Sequence, residues 1–167
     1  MLSLISARVT TTRLTVVLVT FNSRERTEEL LAAIRAFTAG SLDLVVVDNG
    51  STDGTLELLH SALSSRKEPI DRFEIVENPS NALAAAATNQ AIRLVRTEFV
   101  AYLCAGHALV TEAWDRRLLD YMDENPDVSM AGDVWDPKIP VTSKRYAPGW
   151  DPRDHKHVIR HVQGGAW

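Results

Sequence analysis

Residues 44–55 have the sequence LVVVDNGSTDGT, which combines a run of β-branched residues, an acid at the end of that run, and a turn. The valines predict a strand buried on both faces, as in a parallel sheet covered by helices. The Gly, Ser, Thr and Asp residues predict a turn that opens into a helix. Ligands of such sheets bind at the carboxyl ends of the strands, and Asp48 stands at that end.

Length and composition favour one soluble globular domain. The chain has 167 residues, of which 45% are hydrophobic and 24% charged, enough to build a core without disulfides. A net charge of -4 gives no general attraction to nucleic acid, which is therefore not an expected partner. The single cysteine, Cys104, is compatible with a cytoplasmic location. The apolar run at 14–21 is too short to span a bilayer, which takes about 20 residues, so any membrane contact would be peripheral.

Strand and helix patterns alternate along the chain, which predicts an α/β domain with a mostly parallel sheet. Asn22 and Glu25 resemble a capping box at the start of the first helix. We expect residues 1–13 to form a leader, 14–132 the domain, and 133–167 a loop-rich tail of the same domain. Strands are predicted at 14–20, 44–48, 73–76, 99–103 and 128–131, and helices at 23–39, 56–63, 82–95 and 111–124.

Two kinds of nucleotide site are disfavoured by the residues themselves. The turn after the first strand, residues 20–24, contains no glycine, so the fingerprint of NAD and FAD sites is missing. A P-loop motif is also missing from the sequence.

Three segments together resemble a family 2 glycosyltransferase of the GT-A type: VVLVTFN at 16–22, VVVDNGSTDGT at 45–55, and NPSN at 78–81 ahead of an alanine-rich helix. The resemblance implies a three-layer α/β/α, Rossmann-like fold that binds a nucleotide-diphospho-sugar, with UDP-sugars as the first guess. It implies that Thr20 and Phe21 lie beside the base and that Asp48 accepts a hydrogen bond from it. The nucleotide-binding residues implied in this way are Thr20, Phe21, Arg24, Asp48, Asn49 and Asn81.

These residues also have purely structural interpretations. Asp48 can be a turn acid, and Asn49 with Gly50 is an ordinary turn former. Asp53 can serve only as a favourable charge at a helix N-terminus. Phe21 can be core filler. The sequence alone leaves both interpretations open.

The chain departs from the family after the fourth predicted strand. The family carries an Asp-x-Asp type motif there that holds Mn²⁺ or Mg²⁺, whereas residues 103–107 are LCAGH, without a carboxylate. These cations prefer oxygen ligands, so no metal site is predicted. Cys104 and His107 have the spacing of two zinc ligands, but a zinc site needs four, and structural roles are favoured.

Catalytic residues are not identified by the sequence. The weak candidates are His107, which would stabilise a leaving diphosphate, and four possible general bases, Asp133, Asp136, Asp151 and Asp154. A metal site of three tail histidines, 155, 157 and 161, is a minor alternative. An active enzyme would transfer the sugar with inversion to a hydroxyl acceptor. The alternative is an inactive module that binds nucleotide or assembles with a second copy or a partner chain.

Overall fold

The structure, a computed structural model, describes residues 12–65, 68–105 and 109–128. The chain divides into two compact units, Met1–Arg117 and Leu118–Trp167. The first unit contains the sheet. Within the second unit only residues 118–128 are described, and they include the second part of one helix.

The described residues form one four-stranded sheet in which all neighbouring strands are parallel. The strand order is β3-β2-β1-β4, with β1 at Leu14–Thr20, β2 at Leu42–Asp48, β3 at Ile70–Glu77 and β4 at Phe99–Cys104. The helices alternate with these strands: α1 at Arg24–Phe37, α2 at Thr55–Ser64, α3 at Ala84–Ile92 and α4 at Trp114–Glu124. The predicted α/β class with a parallel sheet and flanking helices is confirmed.

The valine-rich strands are buried on both faces, as their sequences predict. On one face Val17, Val45 and Val47 pack against Ala87 and Ala91 of α3, and all five are fully buried. The alanines add little side-chain bulk, which allows α3 to lie close to the sheet. The opposite face is also fully buried; its side chains are Val16, Leu18, Leu44 and Val46. Leu30 and Ile34 of α1 and Leu59 of α2 supply buried apolar side chains of their own.

Several predicted boundaries were wrong. Strands β2 and β3 are longer than predicted and begin at Leu42 and Ile70. Helices α3 and α4 begin later, directly after Leu83 and Ala113, because these two residues have φ angles of 68° and 53°, outside the range of a right-handed helix. The residue that precedes α1 is Ser23, not Asn22, whose own φ is 45°. The predicted leader up to residue 11, the tail at 133–167 and most of the strand at 128–131 lie outside the described residues.

Strand β1 lies where the order of the strands along the sheet reverses. Its neighbour on one side is β2, the next strand in the chain, and on the other side β4, which is reached only after the chain has crossed back over the sheet. In open parallel sheets, ligands bind at the carboxyl ends of the strands at such a reversal of order. None of the described helices has the length and apolar character needed to cross a membrane.

Asp115, in the first turn of α4, fixes the connection between α1 and β2. Its carboxylate is buried and accepts hydrogen bonds from the backbone N–H groups of Ala39 at 2.9 Å and Gly40 at 2.7 Å. The neighbouring Trp114 donates from its indole Nε1 to the Thr38 hydroxyl at 3.0 Å. The start of α4 is thereby bonded to the end of α1.

We predict that Asp115→Ala lowers the free energy of unfolding by about 3 kcal/mol, because two backbone N–H groups lose a charged acceptor whose carboxylate is buried. Urea unfolding followed by far-ultraviolet circular dichroism measures this. Asp120→Ala, an exposed acid of the same helix, is the matched control and should change the value by less than about 0.5 kcal/mol. Equal effects of the two substitutions would contradict the role given to Asp115.

Candidate functional site

The carboxyl edge of the sheet brings together the turns that follow β1, β2 and β3. Thr20 and Asp48 are paired across β1 and β2, and Asp48 and Glu77 across β2 and β3. All the residues predicted to bind nucleotide lie at these strand ends or in the turns and helix start that follow them: Thr20, Phe21, Arg24, Asp48, Asn49 and Asn81. Their binding roles stay predictions, but the fold collects them at one edge.

At this edge, one carboxylate oxygen of Asp48 has no hydrogen-bond partner among the described residues. Asp48 is the last residue of β2 and only 1% exposed. Its Oδ2 accepts a hydrogen bond from the Ser51 N–H at 2.9 Å, whereas its Oδ1 is buried and has no partner among the described residues. A buried acceptor without a donor costs about 1–3 kcal/mol. Oδ1 is therefore the atom at this edge that a ligand donor would satisfy.

Asn49, which is buried, joins three strand ends through its backbone N–H and its side chain together. Its backbone N–H donates to the Thr20 carbonyl at 2.9 Å. Its side-chain Oδ1 accepts from Asn78 Nδ2 at 3.0 Å and from the Ala82 N–H at 2.9 Å, while its Nδ2 donates to Asn81 Oδ1 at 2.8 Å. Asn49 therefore holds the turn after β3 against the end of β2, and its oxygen is fully used by the fold.

The same turn is held from its far side by a second carboxamide pair. Asn78 Nδ2 donates to Gln90 Oε1 at 2.9 Å, and Gln90 Nε2 donates back to Asn78 Oδ1 at 3.0 Å. Neither residue was predicted from the sequence to belong to the site. Nothing in the local pattern links two polar residues that lie twelve positions apart, one in the turn after β3 and one in the second half of α3.

The turns after β2 and β3 also touch through their backbones at Gly50. This residue has a φ of +84°, and a Cβ built on it would lie 2.7 Å from the Cα of Ser80. Any side chain at position 50 would force the two turns apart. Gly50 is thus required by a close backbone approach as well as by its conformation.

Asn22 bonds to the turn after β2. Its backbone N–H donates to Ser51 Oγ at 3.0 Å, and its side-chain Oδ1 accepts from the Thr52 N–H at 2.8 Å. The capping role expected for Asn22 was therefore wrong. The side chain bridges two turns about 30 positions apart, a contact that local sequence spacing does not reveal.

Asp53 bridges the N-termini of α1 and α2. Its Oδ2 accepts from the Arg24 N–H at 3.0 Å, and its Oδ1 accepts from the Thr55 N–H at 3.1 Å and the Thr55 hydroxyl at 2.5 Å. The Thr55 hydroxyl and then the Arg24 N–H hold the pKa of this carboxyl below its usual value of 3.8. Asp53 therefore serves both helix N-termini at once.

The Thr20 side chain serves the start of α1. Its hydroxyl is buried within 2.8 Å of Ser23 Oγ and 2.9 Å of Thr27 Oγ1. Phe21, the next residue, is 43% exposed, so it is not core filler. Arg24 is exposed, and its stem lies over Gly54, where an added Cβ would be 3.2 Å from Arg24 Cδ.

Leu83 combines an unusual backbone with an exposed side chain. Its φ of 68° and ψ of 156° lie in a region that glycine adopts freely and other residues adopt at a cost of about 1–3 kcal/mol. Its side chain is 74% exposed. No sequence pattern pointed to this residue, because leucine is an ordinary member of an alanine-rich helix.

The donor groups at the end of β4 do not fit Mn²⁺ or Mg²⁺. Residues 103–107 carry no carboxylate, and among the residues that the structure describes no three His, Cys, Asp or Glu side chains are placed to hold a metal ion. His107 and the four candidate bases, Asp133, Asp136, Asp151 and Asp154, lie outside the described residues, as do the tail histidines.

Comparison with known proteins gives one family and one set of similar folds. Residues 15–165 match the family model described as glycosyl transferase family 2. The crystal structure of S. aureus TarS is similar with a TM-score of 0.59 and 21% identity, covering 68% of this chain and 20% of TarS. The structure of TarS 1-349 in complex with UDP-GlcNAc has a TM-score of 0.57 and 23% identity, covering 70% of this chain and 33% of that one. This chain thus spans about a third or less of these structures, and no curated protein matches it.

We predict that Asp53→Asn destabilises the protein at pH 7, because an amide oxygen is a weaker acceptor for the helix N–H groups than a carboxylate. The folded-state pKa of Asp53 is depressed, so its stabilisation is present above the unfolded pKa of about 3.9 and is lost as the pH falls through the folded value. The difference between wild type and variant should therefore shrink below about pH 4.

Urea midpoints at pH 7 and pH 3 measure this difference. Glu57→Gln, an exposed acid in the first turn of α2, is the control and should have little effect at either pH. A difference for Asp53→Asn that is equally large at both pH values would show that the charge of Asp53 is not what stabilises the two helix ends.

Proposed function

The chain belongs to glycosyl transferase family 2, as its sequence motifs predicted, and on that premise we propose that it binds a nucleotide-diphospho-sugar at the carboxyl edge of its sheet. The donor is a UDP-sugar in this proposal. The observation that carries it is the unpartnered Oδ1 of Asp48, at the end of the strand that the family motif occupies.

The hydrogen-bonding state of Asp48 favours a uracil base. Since Oδ2 is taken by the Ser51 N–H, one carboxylate oxygen remains for a ligand donor. The imide edge of uracil presents a single N–H between two carbonyls, which one acceptor satisfies. Guanine presents two adjacent N–H donors, which pair best with two free carboxylate oxygens, and here Oδ2 already accepts the Ser51 N–H. Thymine has the same imide edge as uracil, so dTDP is the second choice and GDP the third.

Binding includes a local opening of the site. Asp48 Oδ1 is closed to solvent, so a base reaches it only when the surrounding turns or side chains move. Phe21 directly follows Thr20, the residue of β1 that is paired with Asp48 of β2. Its ring is exposed and is available to stack on a base.

Two of the structures with a similar fold contain a uridine nucleotide. TarS 1-349 has been crystallised with UDP-GlcNAc and with UDP. At 21–23% identity this similarity shows the fold alone, and a UDP-sugar is proposed for this chain because the free Asp48 oxygen fits the same base.

In the reaction we propose, an acceptor hydroxyl attacks the anomeric carbon of the sugar and inverts it. A carboxylate takes the hydroxyl proton, the new C–O bond forms, and the bond to the diphosphate breaks with its electron pair leaving on the nucleotide diphosphate. The candidate carboxylates, Asp133, Asp136, Asp151 and Asp154, lie outside the described residues. The acceptor, the cytoplasmic location and assembly with a second copy or a partner chain remain predictions.

The second candidate function is nucleotide binding without catalysis. It is favoured by one observation: the corner after β4 lacks the carboxylates with which a divalent cation would be held. Without a cation there, the charge that develops on the leaving diphosphate must be stabilised by a basic group of the chain, such as His107, or transfer does not occur.

We predict that wild-type protein binds UDP in calorimetric titration, and binds GDP at least about tenfold more weakly, because only one carboxylate oxygen of Asp48 is free for a ligand donor. Asp48→Ala should weaken UDP binding at least about tenfold while changing the unfolding free energy by no more than about 1 kcal/mol. Glu77→Gln, at the paired position of β3, is the matched control and should bind UDP like wild type. Unchanged UDP affinity in Asp48→Ala would show that Asp48 has only a structural role in the turn after β2.

We also predict that adding Mn²⁺ changes the affinity for UDP less than about threefold, since residues 103–107 carry no carboxylate. Parallel assays of UDP-sugar hydrolysis separate the two candidate functions, because turnover supports the transferase and binding without turnover supports the inactive module. A strong Mn²⁺ requirement would show that metal ligands come from another part of the chain.

A further inference from the structure

Leu83 is held in its unusual conformation from both sides. Its N–H donates to Asn81 Oδ1 at 2.9 Å, and the N–H of the preceding Ala82 donates to Asn49 Oδ1 at 2.9 Å. Its carbonyl accepts the first hydrogen bond of α3, from the Ala87 N–H at 3.2 Å. These bonds fix the backbone through groups that any residue at position 83 would possess.

The leucine side chain is not explained by this backbone role. A glycine at position 83 would make the same backbone hydrogen bonds without strain. The side chain is also 74% exposed, so it adds little to the core. The first alanines of α3, residues 84–86, are exposed as well, and their small side chains leave space around Leu83.

The position of Leu83 connects it to the proposed donor site. Asn81 Oδ1 accepts both the Leu83 N–H and Asn49 Nδ2, and Asn49 directly follows Asp48. Phe21, 43% exposed, lies at the end of the adjacent strand, one residue beyond the pairing of Thr20 with Asp48. Among the described residues of this edge, the buried acceptor is Asp48, at the end of β2. Exposed apolar side chains follow the two neighbouring strands: Phe21 after β1 and Leu83 after β3.

We infer that Leu83 is a donor-binding residue that packs its exposed side chain against the nucleoside of the bound donor. This rests on the proposed function, because it needs a nucleotide at Asp48. The leucine supplies an apolar contact from the α3 side of the site, and the hydrogen bonds of Asn49 and Asn81 keep it in place despite its backbone conformation. The ligand chemistry that fits is a flat base with an imide N–H attached to a ribose, as in uridine nucleotides.

Two substitutions separate this contact from backbone strain. Leu83→Gly removes both the side chain and the strain, so the urea midpoint should rise or hold. Leu83→Ser removes the apolar side chain but keeps a Cβ at positive φ, so the midpoint should stay near that of wild type. Both variants should bind UDP about fivefold more weakly, and Leu83→Met, which keeps the apolar bulk, should bind within about twofold of wild type.

Calorimetric titration with UDP and urea unfolding are measured on the full chain. Ile92→Ala, which truncates a 48% exposed side chain at the other end of α3, is the control and should leave UDP affinity unchanged. The inference is overturned if Leu83→Gly and Leu83→Ser bind UDP as tightly as wild type, or if affinity follows the urea midpoint across the variants. If wild type binds none of UDP, dTDP and GDP, the proposed function fails first and this inference fails with it.

Discussion

The carboxamide of Asn49 is the interaction on which the arrangement of the site depends. It is buried, it accepts two hydrogen bonds and it donates one, all to residues of the segment from Asn78 to Ala82. A buried carboxamide that lost these partners would leave polar groups unpaired at about 1–3 kcal/mol each. The turn after β3 is therefore bonded in one position relative to the end of β2. The close approach of Gly50 to Ser80 and the conformation of Leu83 both follow from that constraint.

Asp53 marks a structural difference between this parallel sheet and a dinucleotide-binding fold. In those folds the N-terminus of the first helix receives the pyrophosphate, and glycines make room for it. Here the Asp53 carboxylate accepts a hydrogen bond from the Arg24 N–H at the start of α1, and the turn between β1 and α1 contains no glycine. An anionic ligand would compete with a group that also caps α2. The part of the site built by β1, β2 and β3 is thus suited to a base and a ribose, and the diphosphate must be stabilised by other residues.

The strands and the position of Asp48 could be predicted from the sequence because they depend on local patterns. A run of valines buried on both faces has few structural solutions, and an acid at its end points to the edge where ligands bind. The contacts that shape the site could not be predicted in this way. Asn22 bonds to Thr52, Asn49 to Ala82 and Asn78 to Gln90, and the partners are fixed by how three turns meet in space. The conformation of Leu83 could not be predicted for a different reason. Its positive φ is imposed by hydrogen bonds to neighbouring residues, and leucine itself does not favour that conformation.

Residues placed to bind the base of a nucleotide do not by themselves imply catalysis. Hydrogen bonds and apolar contacts to the nucleoside have the same strength in the ground state and in the transition state, since the nucleoside does not react. Such uniform binding lowers the concentration of donor needed for saturation but does not accelerate transfer. Acceleration requires groups whose interaction strengthens as charge develops on the leaving diphosphate and on the acceptor oxygen. The roles proposed for Asp48 and Leu83 therefore concern only the binding of the donor. Transfer of the sugar depends on other groups, because residues 103–107, which follow the start of β4, carry no carboxylate.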